Sequence, residues 1–436
     1  MALPSVTAAF DDIDTPDRAR IHTCVHCGFC LPSCPTYVLW GDERDSPRGR
    51  IYLMKAAVDD RVPMNADFVR HFDTCLGCMA CVTACPSGVE YGPLIEATRG
   101  QIERRYTRPA GDGRFRRLLF SVLPYPSRLR VALLPLALAR PIIPAMRQVA
   151  AWLRLPARVR ALLDMAPPVT LAGLMSSLPE RTPAAGERRL TVGLLTGCVQ
   201  RLAFAHVNEA TSRVLTAEGC EVAAPRSQGC CGALALHAGR LDQARTLARA
   251  LIDTFERAGV ERIVVNAAGC GSSMKEYGHL FEKDPDWAER ARAFSQRVRD
   301  VHELLAELGP ARAERHPLPM RVVYQDACHL AHAQGVRQVA RDLLSSIPGV
   351  TLLPIAESDL CCGSAGIYNL VEPATAQELG DRKARHIADE TPDVVASANP
   401  GCALQIAAAA RRLGHEWPIK HPIELIDASI RGTGWR

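Results

Sequence analysis

Two cysteine motifs near the N-terminus constrain this chain more than any other feature. Residues 24–35 read C-V-H-C-G-F-C-L-P-S-C-P and residues 75–86 read C-L-G-C-M-A-C-V-T-A-C-P, so both have the pattern C-x2-C-x2-C-x3-C-P. Three cysteines at this spacing on a tight turn aim three thiolates at one iron–sulfur cube. The repeated pattern indicates two [4Fe–4S] clusters, with zinc knuckles or buried free thiols as the alternatives.

The fourth cysteine of each motif is expected to begin a helix and to point away from its own turn. In two-cluster ferredoxins this cysteine binds the other cluster. The predicted ligand sets are therefore Cys24, Cys27, Cys30 and Cys85 for one cluster, and Cys75, Cys78, Cys81 and Cys34 for the other. Pro35 and Pro86 prevent a regular helix from running through the cysteine, and Gly28 and Gly77 let the turns approach the clusters closely.

The insert between the two motifs predicts a helix. Ser46 is the expected N-cap and Pro47 the first helical residue, and the positions expected to be buried are Ile51, Leu53 and Met54. Three basic side chains lie in the same stretch: Arg48, Arg50 and Lys55. They either offset cluster charge or form a solvated face.

The cysteine content bears on the compartment. The chain has 17 cysteines in 436 residues, and residues 1–17 show neither a basic nor an apolar leader segment. We therefore expect a reducing cytoplasmic environment, in which grouped cysteines more often bind metal or do redox work than form disulfides. The longest uninterrupted apolar run, Val131–Ala139, is shorter than the ~20 residues that span a bilayer, so no membrane-crossing helix is expected.

The modest net charge of +5 is the sum of a strongly basic segment and an acidic remainder of the chain. Residues 114–163 contain ten arginines and no acidic residue, which leaves 42 basic against 47 acidic residues, a net charge of −5, for the rest. Apolar residues lie between the arginines, and the residues expected to cut the segment into short helices are Pro124, Pro126, Pro135, Pro141 and Pro144. Short basic amphipathic helices are typical of a peripheral membrane surface or a partner-docking surface, although a linker bundle has the same composition. The charge pattern does not favour nucleic acid.

The remaining nine cysteines form an internal repeat. The matched positions are Cys198, Cys230, Cys231 and Cys270 in the first copy and Cys328, Cys361, Cys362 and Cys402 in the second. The offsets are 130, 131 and 132 residues, and only Cys220 has no counterpart. Such a duplication indicates two similar structural units.

Each copy predicts strands that alternate with helices. The expected strands are 190–195, 221–224 and 262–266 in the first copy, and 321–324, 351–354 and 394–398 in the second. The expected helices are 206–218 and 241–258, and 336–346 and 374–389. This alternation is typical of a parallel α/β layer, in which sites gather beyond the carboxyl ends of the strands. The cysteines of each copy should therefore converge on one rim, as ligands of a cluster or zinc, or simply as small buried side chains.

At these residues the chain resembles a known family. The units resemble the cysteine-rich CCG domain of heterodisulfide reductases, lactate-utilisation proteins and the anaerobic glycerol-3-phosphate dehydrogenase small subunit. That family's fullest motif ends in C-x-x-C, whereas this chain has C-G-S-S from Cys270 and C-A-L-Q from Cys402. Both copies therefore lack the last cysteine, which leaves open a different cluster, zinc or no metal at the rims.

Along its length the chain resembles the glycolate oxidase iron-sulfur subunit family. The matching stretches include T-G-C-V-Q (196–200), G-C-C-G-A-L (229–234), D-A-C-H-L-A-H-A-Q (326–334) and C-C-G-S-A-G-I-Y-N (361–369). The resemblance implies a cytoplasmic electron-transfer subunit with two [4Fe–4S] clusters, in contact with the inner membrane. Its partners would be flavin-containing glycolate oxidase subunits and a quinone or other acceptor.

The sequence does not indicate a catalytic subunit. We find no nucleotide or flavin fingerprint, and no catalytic residue is assigned. Four histidines near the rims are candidate ligands or bases, or else satisfied side chains: His206, His237, His329 and His332. Because iron–sulfur clusters accept one electron at a time, the two-electron oxidation of a 2-hydroxy acid must occur on a flavin elsewhere. The alternatives are a disulfide-cleaving enzyme of heterodisulfide reductase type, another CCG-domain redox subunit, and a zinc-binding scaffold.

The predicted architecture is a multidomain α+β and α/β chain. The expected domains are a helical two-cluster ferredoxin-like region (1–105), a basic Pro-rich helical connector (106–187), a first CCG domain (188–318) and a second CCG domain (319–436). The sequence alone gives no role for Cys220.

Overall fold

The computed structural model describes residues 8–435. Residues 1–7, which begin the stretch inspected for a leader segment, and Arg436 lie outside the described residues, as do the ends of the first and last predicted domains.

The region that carries the two cysteine motifs is helical, as predicted. Its helices are α1 (Arg18–His22), α2 (Pro35–Trp40), α3 (Pro47–Val58), α4 (Ala66–Asp73), α5 (Ala80–Thr83) and α6 (Tyr91–Arg105), with a 3-10 turn at Glu43–Asp45. The predicted cap of α3 is confirmed, because the Ser46 side chain accepts a hydrogen bond from the Gly49 amide and Pro47 is the first helical residue. Ile51 and Met54 are buried as expected, whereas Leu53 is only partly buried.

The two motifs differ in structure after the fourth cysteine. Cys34 is the N-cap of α2, as predicted, with Pro35 in the first turn. Cys85 begins no helix: it comes after α5 and leads through a turn at Pro86 towards α6. The expectation of a helix at both fourth cysteines is therefore wrong for the second motif.

The connector is a series of helices that pack along the repeated units. They are α7 (Ala110–Val122), α8 (Pro126–Ala139), α9 (Ile143–Trp152), α10 (Ala157–Asp164) and α11 (Leu171–Met175). Pro124 and Pro126 separate α7 from α8 as expected, but Pro135 lies inside α8 without ending it. A 3-10 turn at Arg140–Ile142 joins α8 directly to α9.

This junction corrects the helix length expected from the sequence. Within residues 8–435, one helical segment, Pro126–Trp152, meets the length and composition of a membrane-crossing helix. Arg140 and prolines interrupt the run of apolar residues, but helical structure continues past them through the 3-10 turn. Only 17% of its most apolar stretch is buried.

The first repeated unit is built on a sheet with strand order β1-β3-β2-β4-β5. The strands are β1 (Arg181–Thr182), β2 (Leu190–Leu194), β3 (Cys220–Ala223), β4 (Arg262–Val265) and β5 (Val298–Asp300). The pairs β2–β3, β2–β4 and β4–β5 are parallel, and Val192 pairs with Val222 on one side and Arg262 on the other. The edge strand β1 comes from the predicted connector and pairs antiparallel with β3.

Helices connect and flank these strands. They are α12 (Val199–Ala203), α13 (Ala205–Ala217), α14 (Ala233–His237), α15 (Leu241–Arg257), α16 (Ala268–Lys275), α17 (Tyr277–Leu280), α18 (Ala288–Arg297) and α19 (Val301–Glu307).

The second unit repeats the same topology with strand order β7-β6-β8-β9, all parallel. Its strands are β6 (Met320–Gln325), β7 (Val350–Leu353), β8 (Val394–Ser397) and β9 (Ile419–Lys420). Its helices are α20 (Gln338–Ser345), α21 (Tyr368–Val371), α22 (Pro373–Asp389), α23 (Pro400–Arg412) and α24 (Pro422–Ile430), with a π-helical turn at His329–Ala333. The predicted multidomain fold with parallel sheets is thus confirmed.

The two units share one hydrophobic core. Side chains of β2, α13 and α19 pack with those of β6, α20 and α24, including Val192, Val214, Val322 and Ile426. Helix α13 of the first unit packs on α24 of the second, and α19 of the first unit packs on α20 of the second. The contact includes an ion pair between Arg213 Nη2 and Asp427 Oδ2 at 2.8 Å. This shared core fixes the position of one rim relative to the other.

Candidate metal centres

Cys24, Cys27, Cys30 and Cys85, here called the first quartet, line one cavity. Burial raises the pKa of the Cys24 thiol, and the charges of Cys85 and Cys27 raise it further. Cys85, although distant in sequence, therefore lies close to Cys24 in space. Cys27 is exposed and the other three are partly buried. Cys81 also borders the cavity, so the two motifs lie side by side.

Cys34, Cys75, Cys78 and Cys81, here called the second quartet, lie deeper. Cys34, Cys75 and Cys78 are buried, and Cys81 is partly buried. Burial, and then the charges of Cys78, Cys75 and Cys34, raise the pKa of Cys81. The structure therefore brings Cys34 to the three thiols of the other motif.

Both cysteine turns use the same unusual backbone shape. His26 (φ 54°) and Gly77 (φ 62°) occupy equivalent positions, as do Gly28 (φ 89°) and Met79 (φ 62°), and all four are left-handed. The glycines of the two motifs thus occupy different positions of the same turn, as the alignment of the cysteines also shows. A non-glycine residue in this region costs about 1 kcal/mol, so His26 and Met79 carry strain that the surrounding structure must sustain.

The donor chemistry of the quartets fits [4Fe–4S] clusters. Each offers four thiols, the soft ligands that iron–sulfur clusters require. Backbone amides also point at sulfur: the Gly77 N–H donates to Cys75 Sγ at 3.4 Å and the Val89 N–H to Cys85 Sγ at 3.5 Å. Within residues 8–435 no group of three or more His, Cys, Asp or Glu side chains is spaced to hold a single metal ion. Ligands of a cube bind four different iron atoms, so they stand farther apart than ligands of one ion.

Arg50 of the insert is buried beside the second quartet rather than solvated. Its side chain is 1% exposed, and Nη1 lies 3.9 Å from Cys34 Sγ. Arg48 is different: it is 29% exposed, pairs with Glu43 at 2.8 Å and donates to the His26 carbonyl of the first turn at 3.0 Å. Lys55 is partly buried at the end of the same helix. The three basic residues therefore have separate environments, which their spacing did not distinguish.

The cysteines of each repeat converge as predicted. In the first rim (Cys198, Cys230, Cys231 and Cys270), the Sγ atoms of Cys198 and Cys230 are 3.4 Å apart. In the second rim (Cys328, Cys361, Cys362 and Cys402), all four cysteines are buried, and Cys328 packs with Cys361 while Cys362 packs with Cys402. The structure brings the members of each rim together, but the group that they bind stays a prediction.

The glycine of each C-C-G turn is required by geometry. Gly232 and Gly363 have φ values of 81° and 87°. A Cβ atom on Gly363 would lie 2.5 Å from the Ala376 carbonyl oxygen, inside helix α22. The close approach of the turn to the following helix therefore places the cysteine pair at the end of the sheet.

The second rim adjoins the second quartet. Cys78, Cys328 and Cys361 pack in one buried cluster. Burial, and then the charge of Cys328, raise the pKa of Cys78. The second quartet and the second rim are thus packed against each other.

The second rim also contains a buried cation that the sequence did not suggest. Lys383 of α22 is 2% exposed, and its Nζ donates to the Ser358 carbonyl at 3.2 Å and to the Glu357 carbonyl. The hydrogen bonds from Cys361 and Cys402, and in smaller part Lys383, hold the pKa of Cys362 well below its usual value. The equivalent position of α15 in the first unit holds the apolar Leu251, so a comparison of the two copies is the signal that could have found Lys383.

Three of the four candidate histidines make ordinary hydrogen bonds. His329 contacts the Gly77 carbonyl at 2.9 Å, His332 contacts Thr83 Oγ1 at 3.0 Å, and His237 contacts Glu96 Oε1 at 3.2 Å. Burial lowers the pKa of His237 to about 4 and that of His329 to about 3, so both rings are neutral. His206 lies away from the rims, 3.7 Å from Glu424. Three of these histidines therefore join the ferredoxin-like region to the repeated units.

Comparison with protein families agrees with this geometry. A 4Fe-4S dicluster domain matches residues 20–89, and a cysteine-rich domain matches residues 192–275 and 322–407. The chain is 36% identical over 423 residues to the probable glycolate oxidase iron-sulfur subunit of Bacillus subtilis, covering 96% of this chain and 95% of that protein. It is 35% identical over 416 residues to the glycolate oxidase iron-sulfur subunit of Escherichia coli, covering 94% of each. Lactate utilization protein A of Exiguobacterium is 28% identical over 240 residues, which cover 55% of this chain and 98% of that protein.

Proposed function

The chain belongs to the family of glycolate oxidase iron-sulfur subunits, and we propose that it carries electrons from a flavoprotein that oxidises glycolate to glyoxylate. The two [4Fe–4S] clusters of this subunit supply one-electron transfer. The observation that carries the proposal is the pairing of Cys85 with the first motif and Cys34 with the second, which makes two four-thiol sites in contact. We assign the first quartet to one cluster and the second quartet to the other.

The chain supplies a path with an exposed end and a buried end. Cys27 of the first quartet lies at the surface, whereas the second quartet is buried against the second rim. Hydride abstraction from glycolate belongs to the flavin partner, and this chain then accepts the electrons one at a time. The final acceptor in the proposal is a quinone.

Serine in place of Cys24 or Cys78 should stop this transfer, because each change removes one thiolate ligand. We expect glycolate-dependent reduction of a quinone analogue by the assembled complex to fall to near background. Direct reduction of a dye by the flavoprotein should persist, which shows that the flavin is intact. Cys220→Ser is the matched control, since Cys220 is buried in β3 outside both quartets and both rims. Full quinone reduction with either ligand variant would rule out electron relay through these sites.

We propose that the flavoprotein docks at the first quartet. Val25 and Phe29 flank the exposed Cys27, and each is 68% exposed. Two large apolar side chains beside an exposed cluster ligand form a surface that a partner can cover while it approaches the cluster.

Aspartate at Val25 and Phe29 should therefore weaken docking. Burying each side chain contributes about 1.5–3 kcal/mol, so the double variant should slow cluster reduction by the flavoprotein at least about tenfold. Stopped-flow absorbance measures the rate, and unchanged EPR signals show that both clusters are present. Ile13→Asp is the control, because Ile13 is 61% exposed in the same region but does not line the Cys24 cavity. Equal rates for the double variant and the control would place the docking surface elsewhere.

We further propose that the basic connector rests on the cytoplasmic face of the inner membrane. One side of the Pro126–Trp152 helix packs on the first repeated unit through Leu129 and Ala137. The opposite side exposes apolar residues three or four positions apart: Val131, Leu134, Leu138, Ile142, Met146, Val149 and Trp152. Because one face is held by protein, the helix is suited to lie along a bilayer surface rather than to cross it.

The charge of the connector selects an anionic surface. Arg128, Arg130, Arg140 and Arg154 are exposed near the apolar stripe, and residues 114–163 contain no acidic side chain. Each basic residue near an anionic leaflet contributes about 1 kcal/mol. The membrane would bring the chain close to a lipid-soluble quinone.

A further inference from the structure

The Arg50 guanidinium lies directly against the second quartet. Its Nη1 is 3.9 Å from Cys34 Sγ, and it donates to Thr36 Oγ1 at 3.2 Å. Thr36 Oγ1 in turn lies 3.3 Å from Cys34 Sγ. Nε donates to the His71 carbonyl at 2.5 Å, so the side chain is held at both ends.

One buried carboxylate only partly offsets this charge. Asp45 Oδ1 accepts from Arg50 Nη2 at 3.2 Å, from Thr74 Oγ1 at 2.9 Å and contacts His71 Nδ1 at 3.0 Å. The carboxylate therefore faces Nη2, whereas Nη1 faces the thiol. An arginine guanidinium is not deprotonated in proteins, so Arg50 keeps its positive charge in this buried position.

A second cation reaches the same quartet. Arg99 of α6 donates to the carbonyl oxygens of Cys75 and Phe72, and to that of His237 at 2.7 Å. Tyr91 OH lies 3.7 Å from Cys75 Sγ and adds a neutral hydrogen-bond partner. Two cations thus lie beside the buried Cys75: Arg99 bonds its carbonyl oxygen, and Arg50 Nη2 donates to Thr74 Oγ1 at 3.2 Å.

The first quartet has a different electrostatic environment. Its neighbouring cation, Arg48, is 29% exposed and bonds Glu43 through both Nε and Nη2 at 2.8 Å. Cys27 is exposed to water. Water and Glu43 therefore screen the positive charge at the first quartet far more than at the second.

We propose that Arg50, assisted by Arg99, makes the cluster of the second quartet easier to reduce than the cluster of the first. Reduction adds one negative charge, and a fixed positive charge in a buried, weakly screened site stabilises the reduced form. An electron that arrives at the exposed first quartet then moves inward to the second quartet, beside the second rim. This inference rests on the proposed ligand sets and adds to them a direction of transfer and the residues that determine it.

EPR-monitored redox titration of the purified full chain tests this. Arg50→Gln should lower the equilibrium constant for reduction of one cluster by about tenfold or more, which equals a potential shift of about 59 mV for one electron. The potential of the other cluster should not move. Arg50→Lys keeps the charge and should produce less than half of that shift, which a merely structural role would not predict. Arg48→Gln, on the same helix, is the matched control and should leave the second-quartet cluster unchanged.

Two further variants keep the test decisive if Arg50→Gln fails to assemble the second cluster with Asp45 left unpaired. Asp45→Asn with Arg50→Gln removes both buried charges together. Arg99→Gln removes a cation that bonds carbonyl oxygens and leaves no acid behind. Each should lower the same potential. The inference would be overturned if the variants kept intact EPR signals and the equilibrium constants for reduction of both clusters stayed within twofold of those of the unchanged chain. If the unchanged chain itself had no [4Fe–4S] signals, the proposed function would be overturned instead.

Discussion

Serine in place of Cys85 is expected to remove the cluster bound by Cys24, Cys27 and Cys30, although Cys85 belongs to the other sequence motif. Cys85 lines the same cavity as those three thiols. A cube with one missing thiolate is exposed to solvent and loses iron, so the variant should contain about four iron atoms fewer than the unchanged chain. Iron and sulfide analysis measures the loss, and one of the two EPR signals should disappear.

Double variants separate crossed from local ligand sets. Cys24→Ser with Cys85→Ser alters one proposed cluster twice, so it should lose no more iron than either single change. Cys24→Ser with Cys34→Ser alters both proposed clusters and should lose about eight iron atoms. Local ligation, in which each motif serves one cluster, predicts the opposite result for the two pairs. Cys220→Ser should keep the full iron content.

The repeat was the most predictable part of the fold. Alternating strands and helices, with cysteines placed after strands, predicted β2, β3 and β4 and their counterparts β6, β7 and β8 within one or two residues. The prediction succeeded because the sequence period, the glycine of C-C-G and the burial pattern all favour the same parallel sheet. The crossed assignment of Cys34 and Cys85 came from two-cluster ferredoxins, in which the fourth cysteine serves the other cluster, and the ligation itself stays a prediction.

The environment of a side chain could not be predicted where it depends on contacts with residues distant in the sequence. Arg48 and Arg50 differ by two positions in one helix, yet one pairs with Glu43 at the surface and the other is buried with Asp45. Arg50 is enclosed because α3 packs against the 3-10 turn, the start of α2 and α4. His329 likewise comes directly after a rim cysteine in sequence, but it contacts the Gly77 carbonyl 252 residues away.

Helix continuity through proline was a second failure of local reasoning. Pro135 removes one backbone donor within α8, and Pro141 lies in the 3-10 turn that joins α8 to α9. The helix persists because Leu129 and Ala137 are held on the first repeated unit, while the opposite face is open to solvent that can satisfy freed carbonyl groups. The prolines predicted several short helices, whereas packing on the first repeated unit keeps the whole Pro126–Trp152 segment helical.

The second large expected effect is the loss of membrane binding when exposed apolar residues of the Pro126–Trp152 helix are replaced by aspartate. Leu138 and Trp152 are 63% and 81% exposed on the same side of the helix. Burying two such side chains in a bilayer interface contributes about 3 kcal/mol or more, so aspartate at both positions should weaken vesicle binding at least about 100-fold. Sedimentation with vesicles of phosphatidylcholine and phosphatidylglycerol measures the affinity.

The design of this experiment distinguishes lipid from a protein partner. Binding of the unchanged chain should fall on vesicles of phosphatidylcholine alone and at high salt, because the exposed arginines contribute through anionic lipid. The Val25→Asp and Phe29→Asp variant should bind vesicles normally, since those residues flank the first quartet instead. If the Leu138→Asp and Trp152→Asp variant bound vesicles as well as the unchanged chain but no longer assembled with the flavoprotein, the stripe would be a protein interface. Retained [4Fe–4S] signals in this variant would show that the effect arises at the surface of the helix and not from loss of the fold.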